Sequence, residues 1–185
     1  MCGRYFVDED AVDRIMKGLI GEMNRSKGKT GEIFPGDTVL AVANSRAMHP
    51  KAFPMEWGFT GFDGKRLINA RSETAADKPM FRDSLQRRRC LLPAVNYFEW
   101  NGGRKYAIRP EGDGFFLAGL YRLENEKPMF SVLTRESAAP ISFIHDRMPV
   151  ILTPRMLGAW MDPESDPVRL MRDAVTAVEW VKLNG

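Results

Sequence analysis

Apolar residues at Val12, Ile15, Met16, Leu19 and Met23 recur at three- and four-residue steps, the spacing that lines one face of an α-helix. Asp8 or Asp10 can cap this first helix, and Gly21 weakens its end. Asn24 to Gly31 is polar, basic and Gly-rich, which predicts a mobile loop. Phe34-Pro35-Gly36-Asp37 is a turn signal leading into a strand over Thr38 to Ala43. A second strand spans Ala52 to Phe59, and Pro54 marks it as edge-like or bulged because proline has no N–H for a ladder. After a turn across Gly61 to Gly64, Ile68 to Thr74 reads as a strand end passing into a short helix with Ser72 as cap. Pro79 suits the first turn of a further helix, which runs through Phe81 and Leu85 toward Arg87-Arg88-Arg89. Cations at that end complement the helix dipole, a reading preferred over a DNA-binding patch.

From Leu91 the pattern becomes that of strands. Leu91 to Trp100, Arg104 to Arg109, Phe115 to Arg122 and Pro128 to Thr134 are separated by turn-like segments at Asn101 to Gly103, Pro110 to Gly114 and Glu124 to Lys127. This predicts a β-meander. Pro140 to Ile144 forms a turn or short helix before a strand over Met148 to Leu152. Thr153 caps and Pro154 opens a helix over Arg155 to Trp160, another helix lies around Val168 to Arg172, and Ala177 to Leu183 is a last strand. The fold class is therefore α+β: one domain over residues 1–185, a curved, barrel-like, mainly antiparallel sheet with helices at its rim.

Composition narrows the function classes. Lys and Arg total 27 against 24 Asp and Glu, a net charge of only +3, so a nucleic-acid role must come from local placement of cations. The longest apolar run, Phe115 to Tyr121, is strand-sized, which argues against a membrane span. The start lacks a secretory pattern, so a cytoplasmic location is expected. Cys2 and Cys90 are the only cysteines and exclude a disulfide framework. Together with His49 and His145 they show none of the short paired spacings of metal sites, so neither metal nor cofactor is expected. Cys90, in Arg89-Cys90-Leu91-Leu92, reads as a small core residue.

The chemistry centres on Met1-Cys2-Gly3-Arg4-Tyr5. Loss of Met1 would leave Cys2 with an α-amine and a thiol on adjacent carbons. Such an amine, with pKa ~7.7, is roughly a third unprotonated near pH 7.4, whereas lysine is almost wholly protonated. It condenses with aldehydes, and the thiol can close a thiazolidine ring on the imine carbon. With Met1 attached, the same nitrogen is an amide and cannot react. Asn69, Glu99 and His145 are further candidates by residue chemistry. Glu99 between Phe98 and Trp100 suits proton transfer if desolvated, although periodicity alone favours Glu99 facing solvent with Phe98 and Trp100 packed inward. His145 can act as acid or base, or simply hydrogen-bond to Asp146 or a carbonyl. Asn69 can orient an amine or satisfy backbone groups. Arg4, Arg71, Trp57 and Trp100 offer phosphate and base contacts, with core packing the commoner role for the tryptophans.

Four blocks taken together resemble one family. Met1-Cys2-Gly3-Arg4-Tyr5, then Trp57-Gly58 with Ile68-Asn69-Ala70-Arg71-Ser72-Glu73-Thr74, then Arg88-Arg89-Cys90-Leu91 leading to Tyr97-Phe98-Glu99-Trp100, and finally His145-Asp146-Arg147-Met148-Pro149-Val150 occur in this order. The chain in this respect is similar to SRAP domains, the SOS-response-associated peptidase family, which crosslinks to abasic sites in DNA. The resemblance implies a positively charged groove for single-stranded DNA and a Cys2 that forms a thiazolidine with the ring-opened sugar. It implies that Asn69 holds the amine or a sugar oxygen, Glu99 moves protons, and His145 assists ring opening. It further implies phosphate contacts from Arg4 and Arg71, and a groove wall built by Trp57, Gly58 and Trp100. The expected partner is single-stranded DNA carrying abasic sites, with association to the nucleoid when bound, replication-fork proteins as further partners, and a monomeric protein. Asn96 departs from the Asp-Gly pair many relatives carry before the aromatic residues, and the segments Asn24 to Gly31 and beyond Thr153 match less distinctively. Two other readings are carried forward: a cysteine peptidase using Cys2 with His145, acting on peptides or only on its own leading residues, and a non-catalytic single-strand binder.

Overall fold

The computed structural model describes residues 2–20, 28–112 and 114–183; Met1, Gly21, Met23 and the first half of the expected loop, residues 24–27, lie outside them. Strand β1 (Tyr5–Val7) leads into helix α1 (Glu9–Ile20). Asp8 caps it as expected, its Oδ1 accepting the Ala11 N–H at 2.6 Å. Val12 and Met16 are buried on its inner face. The end of the expected loop is instead strand β2 (Gly31–Ile33), paired with β1. The turn at residues 34–37 forms as read: the Asp37 N–H donates to the Phe34 carbonyl at 3.0 Å, the Phe34 N–H donates to the Asp37 carboxylate at 2.8 Å, and Gly36 sits at φ +94°.

Strands β3 (Thr38–Asn44) and β4 (Pro50–Trp57) pair antiparallel. A short hairpin of β5 (Phe59–Thr60) and β6 (Arg66–Leu67) precedes β7 (Asn69–Arg71). The helix expected at Ser72 does not form. The Ser72 N–H donates to the Thr134 carbonyl, continuing the ladder, and residues 72–77 turn back on bonds from Thr74 and Ala75 N–H to the Arg71 carbonyl. Helix α2 (Pro79–Arg87) follows, with Pro79 in its first turn. The arginine triplet is structural: Arg87 and Arg88 pair with Asp83, and buried Arg89 donates to the carbonyls of Asp162 and Ser165.

The predicted strand Leu91 to Trp100 is two strands, β8 (Arg89–Ala94) and β9 (Asn96–Asn101). They part at Val95, whose N–H donates to the Phe6 carbonyl at 2.8 Å. Next come β10 (Arg104–Arg109), β11 (Phe115–Glu124) and β12 (Lys127–Glu136). The β9–β10 and β11–β12 hairpins close on Gly102-Gly103 and Asn125-Glu126, all at positive φ, as two-residue primed turns require. The expected meander is therefore divided between two sheets. The strand expected over Met148 to Leu152 also breaks, into β13 (Arg147–Pro149) on β12 and β14 (Ile151–Leu152) on β11. Thr153 makes no capping bond to the short 3₁₀ turn at Pro154–Met156, which runs into α3 (Leu157–Met161). Helix α4 (Pro167–Arg172), capped by Asp166, precedes β15 (Glu179–Lys182).

Pairing of β12 with β4, β4 with β3, β3 with β8, β8 with β11 and β11 with β12 closes a five-stranded barrel. Only the β4–β12 contact in this ring is parallel. Pro54 faces Leu40 of β3, while β12 reaches only Glu56 and Trp57, so Pro54 sits where β4 has one neighbour and no ladder bond is lost. Cys90 lies in the barrel wall opposite Gly119, where an added Cβ would fall 2.7 Å from the Cys90 sulfur, in line with its reading as a core residue. The second sheet has the order β15-β10-β9-β1-β2 and packs against the barrel. Among the described residues no helix is long and apolar enough to cross a membrane.

Candidate functional site

Three segments meet at Cys2, the lead into β1, the strand β9 beside it and β7 on the edge of β12, and the loop before β13 joins them at Glu99. Cys2 is wholly buried. Its carbonyl accepts a hydrogen bond from Asn69 Nδ2 at 2.9 Å. Asn69 reaches it because β7 runs parallel to β12 with Asn69 opposite Val132, which turns Ala70 into the barrel and leaves Asn69 and Arg71 on the other side. Arg71 is exposed there. The amide oxygen of Asn69 is buried and has no hydrogen-bond partner among the described residues.

Glu99 is only 4% exposed, so the inward-facing alternative holds over the one periodicity favours. The register explains it. Tyr5 lies opposite Tyr97 and Tyr106 opposite Glu99, so Tyr5, Tyr97, Glu99 and Tyr106 share the inner face of the sheet. Phe98, Trp100 and Lys105 share the outer face. Burial raises the Glu99 carboxyl above its ordinary 4.5, against the opposing charge of nearby His145. Burial likewise pushes the Cys2 thiol well up, and the Glu99 carboxylate adds to this. The thiol is therefore protonated in the resting fold.

His145 Nδ1 accepts the Arg147 N–H at 2.9 Å and lies 2.8 Å from Asp146 Oδ1. The first contact uses a bare Nδ1 and the second an Nδ1–H, so the two suit different placements of the proton on the ring. The loop is fixed by Ser137, whose Oγ donates to the His145 carbonyl at 2.6 Å and whose N–H donates to the Asp146 carbonyl at 3.0 Å. Arg147 then forms a bidentate pair with Glu73 at 2.7 and 2.8 Å and donates to the Thr134 carbonyl. Those bonds to Arg147 hold the Glu73 carboxyl down at about 2. The pair ties the turn after Asn69 to the loop bearing His145. Neither Glu73 nor Arg147 is singled out by residue chemistry, although both lie inside the quoted blocks.

The outer face carries a cluster of aromatic and basic groups. The Arg4 guanidinium lies 4.3 Å from the Phe34 ring centre and 4.8 Å from that of Trp100, and Lys105 Nζ lies 3.9 Å from Phe98. Glu32 bridges the two cations, at 3.3 Å from Arg4 and 2.5 Å from Lys105. Phe34 and Trp100 remain 38% and 37% exposed. Phe34, Phe98 and Lys105 were missed because only the strand register gathers them with Trp100. Trp57, expected on a groove wall, is wholly buried instead. It stacks on Phe130 at 5.9 Å and packs on Tyr5 at 5.4 Å, and its indole N–H donates to the Ile68 carbonyl at 2.9 Å, which supports Asn69 from beneath. Gly58 likewise serves the backbone: it sits at φ +114° with its N–H donating to the Phe130 carbonyl, and an added Cβ would fall 2.1 Å from Arg66.

Barrel, second sheet and pocket thus define a protein built around a buried cysteine next to the chain start, with an amide, a carboxyl and an imidazole brought in from three other segments. The chain belongs to the SRAP family (SOS response associated peptidase), whose sequence profile matches residues 1–184. It is 30% identical over 191 residues to the abasic site processing protein YoqW of Bacillus subtilis, covering 90% of this chain and 83% of that one. It is 29% identical over 180 residues to the abasic site processing protein YedK of Escherichia coli, covering 89% and 81%. Two solved structures share the fold: a protein from Bacteroides thetaiotaomicron (TM-score 0.81, 19% identity, 99% and 92% covered) and a phage-related protein from Bordetella bronchiseptica (TM-score 0.81, 23% identity, 100% and 95% covered).

Proposed function

We propose that this protein processes abasic sites in single-stranded DNA by linking covalently to them through Cys2 once Met1 has been removed. The observation that carries the reading is the meeting of Asn69 and Glu99 at Cys2, with the Asn69 amide bonded to the Cys2 carbonyl and the Glu99 charge felt at the thiol. The names of the relatives point to the same lesion. The Cys2 amine adds to the aldehyde carbon of the ring-opened deoxyribose, and the carbinolamine loses water to give an imine. A carboxyl that burial makes a weaker acid can carry a proton to the leaving oxygen, and it goes with this water. The thiol sulfur then adds to the imine carbon, and its proton passes to the nitrogen to complete the thiazolidine. Holding aldehyde and aminothiol together replaces a bimolecular encounter, worth effective molarities up to ~10⁵ M or more in favourable cases. His145, held through Nδ1 by the Arg147 N–H and Asp146, assists sugar opening. The imine also permits strand cleavage by elimination, a lyase activity. Arg4, Trp100 and the neighbouring Phe34 and Lys105 supply cations and ring faces for unpaired nucleotides, and Arg71 supplies a cation beside Asn69.

The test is incubation of the processed protein with a uracil-containing single strand treated with uracil glycosylase. A heat-stable adduct is expected, and Cys2→Ala should abolish it. No adduct from the processed protein, or equal crosslinking by Cys2→Ala without reductant, refutes the reading. A cysteine peptidase needs a ready thiolate, and the burial that pushes the Cys2 thiol up works against one.

A further inference from the structure

One buried polar group at the site has no part in the chemistry above. Tyr97 is wholly buried on β9, and its hydroxyl has no hydrogen-bond partner among the described residues. It shares the inner face with Glu99, the next-but-one residue of the strand, and lies opposite Tyr5, close after Cys2 in β1. Burial raises the Tyr97 phenol and Cys2 and Glu99 add to the rise, in keeping with the strand register that sets Tyr97 beside both. The Tyr5 hydroxyl is likewise buried without a partner among the described residues, but Tyr5 packs on Trp57 of the barrel, and burial, then Cys2, Cys90 and Asp37, raise its phenol. A buried hydroxyl without a partner costs stability that phenylalanine would not, and most native polar groups avoid it. The amide oxygen of Asn69, which bonds to Cys2 through its other end, is the same kind of orphan. Such atoms beside one cysteine are polar groups able to meet the oxygen of a substrate.

We propose that Tyr97 is a further catalytic residue, donating its hydroxyl hydrogen to the aldehyde oxygen of the open-chain deoxyribose while the Cys2 amine adds to the carbonyl carbon. The inference rests on the covalent reading above. The nitrogen lone pair forms the C–N bond, and the carbonyl π pair moves onto oxygen, where the Tyr97 O–H meets the developing charge. The nitrogen then loses a proton to the Glu99 carboxylate, which passes it to the oxygen, giving the neutral carbinolamine while the Tyr97 O–H stays hydrogen-bonded to that oxygen; nothing is oxidised or reduced. Burial above all, with Cys2 and Glu99 beside it, holds the phenol neutral, which keeps it a donor throughout the physiological range.

Tyr97→Phe removes the hydroxyl and keeps the ring. Processed wild-type, Tyr97→Phe and Tyr5→Phe proteins are reacted in excess with glycosylase-treated uracil oligonucleotide, and the adduct is followed by denaturing gel. Affinity for the same strand with an unreactive tetrahydrofuran spacer, and the melting temperature, are measured in parallel. Tyr97→Phe should slow adduct formation on the order of 100-fold, with spacer affinity unchanged and the melting temperature equal or raised. Tyr5→Phe should react within about two-fold of wild type. Wild-type rate in Tyr97→Phe overturns the proposal while leaving the covalent reading intact. A slow variant that also melts lower and binds the spacer strand worse overturns it in favour of a packing role. If wild type binds the strand but forms no adduct, the covalent reading falls and this inference with it.

Discussion

Replacing Glu73 with glutamine breaks the bidentate pair with Arg147 while keeping nearly the same volume. The pair holds the Glu73 carboxyl at about 2 against an ordinary 4.5, a gap worth at most about 3 kcal/mol. The Glu73 side chain is 47% exposed, so solvent screening reduces this to about 1 kcal/mol, while Arg147 at 14% keeps its bond to the Thr134 carbonyl. Glu73→Gln should therefore lower stability by about 1 kcal/mol at pH 7, or ~3 °C in melting temperature for a chain of this size. Because the folded value is depressed, this contribution is complete above the unfolded value of 4.5 and is lost as pH falls toward about 2. The difference between wild type and variant in urea unfolding should shrink to less than half by pH 3. A difference that stays constant between pH 7 and pH 3, or is absent at pH 7, would refute the assignment of an energetic ion pair.

Two further outcomes follow from the same geometry. Burial keeps the Glu99 carboxyl above 4.5, so its ionisation opposes folding increasingly as pH rises from 4.5 through the raised value. Glu99→Gln should accordingly gain more stability over wild type at pH 8 than at pH 4, while slowing adduct formation; unaltered adduct kinetics would remove its proton-transfer role. Trp100→Ala should weaken binding to an intact single strand by ~1–3 kcal/mol, the usual worth of one base stack, with no loss of fold because the side chain lies on the outer face. Unchanged affinity in fluorescence anisotropy would exclude it as a stacking platform.

Local signals in the sequence were reliable where the physics is local. The Asp8 cap, the turn at residues 34–37, the proline opening α2 and the glycine pair between β9 and β10 all depend on a few neighbouring residues, and each forms as read. The aminothiol at Cys2 was legible for the same reason, since its chemistry needs no fold. What failed depends on partners. Whether Glu99 points in or out is a matter of which sheet covers β9, and the change of sheet at Val95 cannot be seen in an unbroken run of strand-forming residues. Trp57 and Trp100 look alike in sequence, yet one lies under the barrel-closing contact with Phe130 and the other on an outer face. Glu73 and Arg147 stand 74 positions apart and meet only because β12 brings β7 and β13 to its two sides.

The edge of β12 is shared end to end by β4 and β7, which meet it at Phe130 and Val132. The chain leaves the barrel at Gly58, whose N–H bonds to the Phe130 carbonyl, and returns at Ile68, whose carbonyl takes the Val132 N–H. Everything between is an excursion spliced into what is geometrically one barrel stave. The length of its tip is therefore set free from the barrel's closure: with Phe59 kept in the core and the exit and re-entry kept, residues 61–65 can be lengthened, shortened or exchanged for a reporter segment, and Asn69 still arrives at Cys2.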